Sequence, residues 1–201
     1  MVSSEYVEAP SCEHTLRRTR VSSRSWSGDS VAPILRTYEF VGARLRSRLE
    51  GLTDGEYFWE PVPGSWSVRR DDDDTWTIDG YDGGLGSDPA PLTTIAWRVV
   101  HLGGGALGGF TGLRFGDGWP DLLADLPRSA ARARDYVDEK LDGWVGALRA
   151  LDETGWTSPL GEAWGEYADD STIDLALHVL DELIHHGAEV ALLRDLYRTR
   201  S

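Results

Sequence analysis

The apolar residues fall into four stretches of helical spacing, separated by connections rich in Gly, Pro and charge. In the first stretch, Ile34, Leu35, Tyr38, Val41, Leu45 and Leu49 recur three or four positions apart, which sets them on one helix face. Asp29 or Ser30 is placed to cap this helix, Pro33 suits its first turn, and Gly51 suits its end. A second helix begins near residues 92–94, carries Ile95, Trp97, Val99, Val100 and Leu102, and continues toward Phe115 with a kink expected at its glycines. The third spans about 128–151 on a stripe of Tyr136, Val137, Leu141, Val145 and Leu148. The fourth starts at Asp170 or Ser171 and runs without a proline to about Arg198. Four long helices without a convincing sheet predict an all-α bundle.

Between the first two helices lies a long irregular insert, rich in Gly, Pro, Asp and Trp. Within it, residues 65–70 and 75–79 alternate weakly and predict a small hairpin. A connection of this length inside one domain usually serves function. Residues 1–28 show no periodicity and read as a disordered tail, leaving 29–199 as the folded domain.

At 201 residues the chain suits a single core. No run approaches the roughly 18 apolar residues of a membrane span, and the N-terminal segment lacks the apolar stretch of a signal peptide. A cytoplasmic location is expected. The single cysteine, Cys12, excludes an intramolecular disulfide and a zinc site built on several thiolates, so any metal must rest on His, Asp and Glu. A net charge of −14 argues against a nucleic-acid backbone or an anionic membrane as partner. Residues 53–90 hold ten acidic side chains and two basic ones, the composition of a solvated loop. Asp71–Asp74 lacks the glycine and closing glutamate of an EF-hand.

The chemistry-bearing segment is His178-Val179-Leu180-Asp181-Glu182-Leu183-Ile184-His185-His186-Gly187-Ala188-Glu189. Residues four apart share a helix face, so Glu182 and His186 project side by side. His186 falls among Leu175, Val179, Leu183, Val190 and Leu193, the core-facing sector, where an unpaired imidazole costs free energy. Glu182 borders that sector, and a divalent cation there would balance its charge. His101, in the apolar run Val100-His101-Leu102, is the one remaining histidine outside the last helix and the tail. His101, Glu182 and His186 are therefore the candidate metal ligands. Two histidines and one carboxylate leave coordination positions open, as catalytic sites do. Alone, each histidine is more often a satisfied core or interface residue than a ligand.

These motifs resemble the DinB superfamily of bacterial four-helix metalloproteins, which includes mycothiol-dependent maleylpyruvate isomerases and thiol S-transferases. The resemblance covers residues 31–197. Besides Val100-His101-Leu102 and the last-helix pattern, it rests on Glu56-Tyr57-Phe58-Trp59-Glu60-Pro61-Val62-Pro63-Gly64-Ser65-Trp66-Ser67-Val68 and on Ala188-Glu189-Val190-Ala191-Leu192-Leu193-Arg194-Asp195-Leu196-Tyr197. It implies an up-down-down-up, DinB-like four-helix bundle and, often, a homodimer. Many members carry histidine where this chain has Glu182, whereas the isomerase branch carries glutamate. The usual ending His-Arg-Gly-Gln is replaced by His186-Gly187-Ala188-Glu189, a departure that bears on the substrate and not on the ligands.

The resemblance implies a thiol-dependent transferase or isomerase acting on an electrophilic small molecule, with mycothiol as cosubstrate. Zinc is the first expectation for the metal, ahead of nickel, iron or manganese. His185 or His178 is the expected proton shuttle. Trp59, Trp66 and Tyr57 of the insert, with Arg98, are expected to line the substrate pocket, although Arg98 and Arg194 suit pairing with surface acids as well. A metal-dependent hydrolase and a non-catalytic metal- or ligand-binding bundle are the alternatives. Gly103–Gly108 matches GxGxxG but follows a helix and not a strand, so a dinucleotide site is not expected.

Overall fold

The computed structural model describes residues 28–80 and 91–200. The expected tail up to residue 27, with Cys12 and His14, lies outside the described residues. Helix α1 spans Gly28–Leu49 and buries Ile34, Tyr38, Val41, Leu45 and Leu49, the stripe its periodicity predicts. It starts slightly ahead of the expected caps. Gly51, at φ 63°, turns the chain in the left-handed region that glycine enters without penalty.

Helix α2, Asp54–Tyr57, is a single turn that the sequence reading left inside the irregular insert. Strands β1 (Val68–Arg70) and β2 (Trp76–Ile78) then form the expected hairpin, pairing Val68 with Ile78 and Arg70 with Trp76. The acidic run Asp71–Asp74 is its exposed turn, where Arg70 pairs with Asp74. The hairpin is stitched to the next helix through Trp66, whose amide donates to the Leu92 carbonyl at 2.8 Å. Its own carbonyl accepts from Thr94 N at the same distance.

Thr94 caps helix α3, Ile95–Val100. The helical path continues through a π-type segment, His101–Gly109, into α4, Phe110–Phe115. A kink was expected at these glycines; i→i+5 winding is found instead. Bare backbone here admits bulky neighbours. A Cβ on Gly103 would stand 2.6 Å from the Tyr136 ring, and one on Gly109 would stand 2.5 Å from Trp119. Helix α5, Ala130–Arg149, is capped by Ser129 and buries Tyr136, Val137, Leu141, Trp144, Val145 and Leu148. A short α6, Glu153–Thr157, precedes α7, Thr172–Thr199, which opens with a Ser171–Asp174 capping box.

The long rods pack as a ring. Helix α1 lies between α5 and α7, and the α3–α4 rod closes the other side against the same two helices. Contacts fix the pairwise directions. Tyr38 and Arg48 donate to the carbonyls of Ala176 and Ala191, so α1 and α7 run the same way. Arg46 bridges to Asp138 and Arg149 to Glu39, so α1 and α5 run oppositely. Among the described residues, no helix is long and apolar enough to cross a membrane.

One polar cluster is sealed inside the end of this ring. Arg194, 2% exposed, donates to Glu56 Oε1 at 3.1 Å and to the carbonyls of Glu50 and Arg48 at the end of α1. The surface acid expected for Arg194 is thus a buried one. Glu56 also closes the capping box with Thr53 and accepts from Arg198. One guanidinium thereby caps α1, anchors α2 and fastens both to α7. Burial works to raise the Glu56 carboxyl, but the bonds from Arg194 and Thr53 outweigh it and hold the group below the usual carboxylate range.

Three outcomes are expected for stability. Breaking a buried ion pair leaves a charge stranded, so Glu56→Gln or Arg194→Met should lower unfolding free energy in urea by about 3–5 kcal/mol. The folded value of Glu56 lies below its unfolded one. Its contribution is therefore present above the ordinary carboxylate range and lost as pH falls, and Glu56→Gln should flatten the acid limb of the stability curve. Gly103→Ala, forced against Tyr136, should cost about 1–3 kcal/mol in the same measurement.

Candidate metal centre

The α3–α4 rod and α7 run in opposite directions, with Arg98 facing Glu189, His101 facing Glu182, and Arg114 bonding Thr172. Their crossing brings the predicted trio together. His101 Nε2 stands 3.2 Å from Glu182 Oε2, and His186 Nε2 stands 3.0 Å from the same oxygen. The two imidazole rings meet nearly at right angles with centroids 4.6 Å apart. One donor atom from each residue lies within 4.8 Å of the other two, a group able to hold a metal ion. His186 is buried, while Glu182 and His101 are partly open.

The donor set can be tested against a metal's needs. Bonds of roughly 2.0–2.2 Å, meeting at angles between square and tetrahedral, set neighbouring ligand atoms about 3.0–3.5 Å apart. Both measured carboxylate–imidazole separations fall there. The protonation states of His101 and Glu182 suit ligation as they stand, while His186 would exchange a proton for the ion. Burial, with the charge of nearby His186 and Arg98, pushes His101 down and keeps its ring neutral. Burial alone would raise Glu182, yet the bonds from His101 and His186 hold it far below the usual range. His186 is raised: burial opposes its charge, but Glu182 and Glu189 together prevail.

Around the trio stand two residues that the sequence reading did not single out as site residues. Trp97 stacks on His101, with centroids 5.1 Å apart and 10° between planes, and its indole N–H donates to the Asp79 carbonyl at 2.9 Å. Glu189 accepts from His186 Nδ1 at 2.6 Å and pairs with Arg98 Nε at 2.9 Å. Helical spacing carried both signals, since Trp97 lies four residues before His101 and Glu189 three after His186.

The other expected site residues divide. Trp66 packs on Trp97 at 5.8 Å and so reaches the centre through one intervening ring. Arg98 is at the centre, engaged with Glu189 and lying over the Trp97 ring at 5.1 Å. His185 is exposed and stacks on His186 at 4.7 Å. His178 is exposed one turn before Glu182, edge-on to Phe110 at 5.6 Å. Tyr57 is fully buried and its hydroxyl donates to the Pro127 carbonyl, so it offers no surface to a substrate. Trp59 packs on Tyr197, about 16 Å along α7 from His186 at the helical rise. The insert thus reaches the centre through Trp66, while Tyr57 and Trp59 anchor it elsewhere.

If the trio is a ligand set, His101→Ala, Glu182→Gln and His186→Ala should each weaken Zn2+ or Co2+ binding in titration calorimetry. The loss should exceed the roughly 10–100-fold typical of removing an outer partner. His178→Ala should bind as the unaltered protein does.

No curated protein and no solved structure matches the chain. Residues 37–190, which include the three candidate ligands, match the DinB superfamily. The chain therefore belongs to the DinB superfamily.

Proposed function

We propose that this protein is a divalent-metal-dependent transferase or isomerase that uses a low-molecular-weight thiol of the mycothiol type against an electrophilic small molecule. The observation that carries the reading is the convergence of two imidazoles and one carboxylate, from two separate rods, on a common point. Three protein ligands leave coordination positions for a reactant, whereas a structural site would close them. Zinc is the favoured ion, with nickel, iron or manganese as alternatives. Such an ion lowers the pKa of a coordinated thiol, so that thiolate is populated near neutral pH.

The chain's own residues would divide the remaining work. Glu182 brings negative charge between two imidazoles. Trp97, lying flat on His101, fixes that ring and shields one side of it from water. Gly105, one turn beyond His101, has nothing within 4 Å of where a Cβ would stand, in contrast to its crowded neighbours Gly103 and Gly104. That opening supports the approach of a small molecule. His185 and His178, both solvent-facing, are the proposed proton carriers.

Glutamate at position 182 follows the isomerase branch named above, which is what favours a thiol over water as nucleophile. The proposal extends to an up-down-down-up bundle, which the pairwise helix directions support, and to a cytoplasmic homodimer.

The test incubates metal-loaded protein with mycothiol and a panel of electrophiles while free thiol is quantified. Net thiol consumption, or thiol-dependent isomerisation of an electrophile with the thiol returned, is expected above the His186→Ala background; the absence of both across the panel overturns the proposal. Ester or amide cleavage without thiol would assign the centre to hydrolysis.

A further inference from the structure

The two nitrogens of His186 meet different carboxylates. Nε2 faces Glu182 at 3.0 Å, inside the trio, and Nδ1 faces Glu189 at 2.6 Å, on the outer side. Glu189 in turn touches Arg98 Nε at 2.9 Å, and an Arg98 terminal nitrogen lies 3.4 Å from His186 Nδ1. Arg98 comes from the same rod as His101, three residues earlier. The rod that supplies one proposed ligand therefore also supplies the cation that fixes the outer partner of another.

Glu189 has a competing reading. With His185 and His186 it forms a second group whose donor atoms lie close enough to hold an ion. Charge argues against that use. A divalent ion there would share its carboxylate with the Arg98 guanidinium and lie against it, and it would require His186 Nδ1 without its proton. The cation this carboxylate serves is already part of the chain.

We infer that Glu189, held by Arg98, is a positioning residue that selects the Nδ1–H form of His186 and thereby aims the Nε2 lone pair into the metal centre. This rests on the ligand set proposed above. The physical reason is the acceptor-only character of an ionised carboxylate: a 2.6 Å contact to it requires that the hydrogen reside on Nδ1. With the hydrogen kept on Nδ1, Nε2 is the nitrogen that yields its proton, and an ion taking that proton's place meets the lone pair beside Glu182 and His101. The same bond resists a flip of the ring, which would turn carbon toward Glu189. Outer carboxylates of this kind set both tautomer and orientation in histidine metal sites.

The experiment reads two quantities in the full chain. Long-range 15N–1H correlation on metal-free protein, recorded above the pH at which the ring loses its second proton, reports which nitrogen of His186 is protonated. Competition titration reports Co2+ or Zn2+ affinity. Nδ1 protonation is expected in the unaltered protein. Glu189→Ala should lose that preference and weaken metal binding by roughly 10–100-fold. Glu189→Gln, whose amide oxygen still accepts, should retain the tautomer and recover most of the affinity.

If Glu189 serves only to pair Arg98, Glu189→Ala will lower thermal stability while affinity and tautomer stay unchanged, and the inference falls. Should the unaltered protein bind no ion, the ligand set fails, but the tautomer still decides the role of Glu189. A bare Nδ1 in the metal-free protein overturns it.

Discussion

A carboxylate set between two helical rods must have its charge answered, and Glu182 is that carboxylate. Placed on the edge of the buried face of α7, it would cost several kcal/mol without partners. His101 and His186 answer it from two directions, one from each rod, and their bonds more than offset the upward push of burial on its carboxyl. The demand is mutual, because an imidazole as enclosed as His186 needs an acceptor for each ring proton. Much of the surrounding arrangement follows: the crossing of the α3–α4 rod with α7, the stacking of Trp97 on His101, and the Glu189–Arg98 pair on the far side.

The rods themselves were legible from spacing alone. Apolar residues three and four apart located α1, α3, α5 and α7, and Ser171, one of the two expected starts of the last helix, caps α7. The trio was legible for the same reason. A glutamate and a histidine four apart lie on or beside a core-facing stripe, and one further histidine stands in an apolar helix, so spacing singled out the three residues although each histidine alone also suits a core role. Even the hairpin could be read from weak alternation.

What periodicity could not give was partnership across distant parts of the chain. Nothing local to Arg194 says that it caps α1, because its partners lie roughly 140 residues away and become neighbours only once the ring closes. Tyr57 and Trp59 shared the aromatic, loop-borne character of Trp66. Only packing separates the one that reaches the centre from the two that hold the insert in place. The glycine run was equally ambiguous. Gly103–Gly109 suggested a bend, whereas the bulk of Tyr136 and Trp119 pressing on bare backbone accompanies a wider winding that keeps the rod continuous.

The Arg194 clamp also bears on the order in which the molecule can assemble. The final carbonyls of α1 and the carboxylate of Glu56 find their shared cation only after synthesis has reached α7, and Glu182 and His186 arrive on that same helix. Early segments therefore emerge carrying polar groups that stay hydrated until the last rod docks. The contacts that seal this end of the interior therefore join residues far apart in the sequence, the kind of contact that forms slowly. The step that completes the scaffold is also the step that creates the centre.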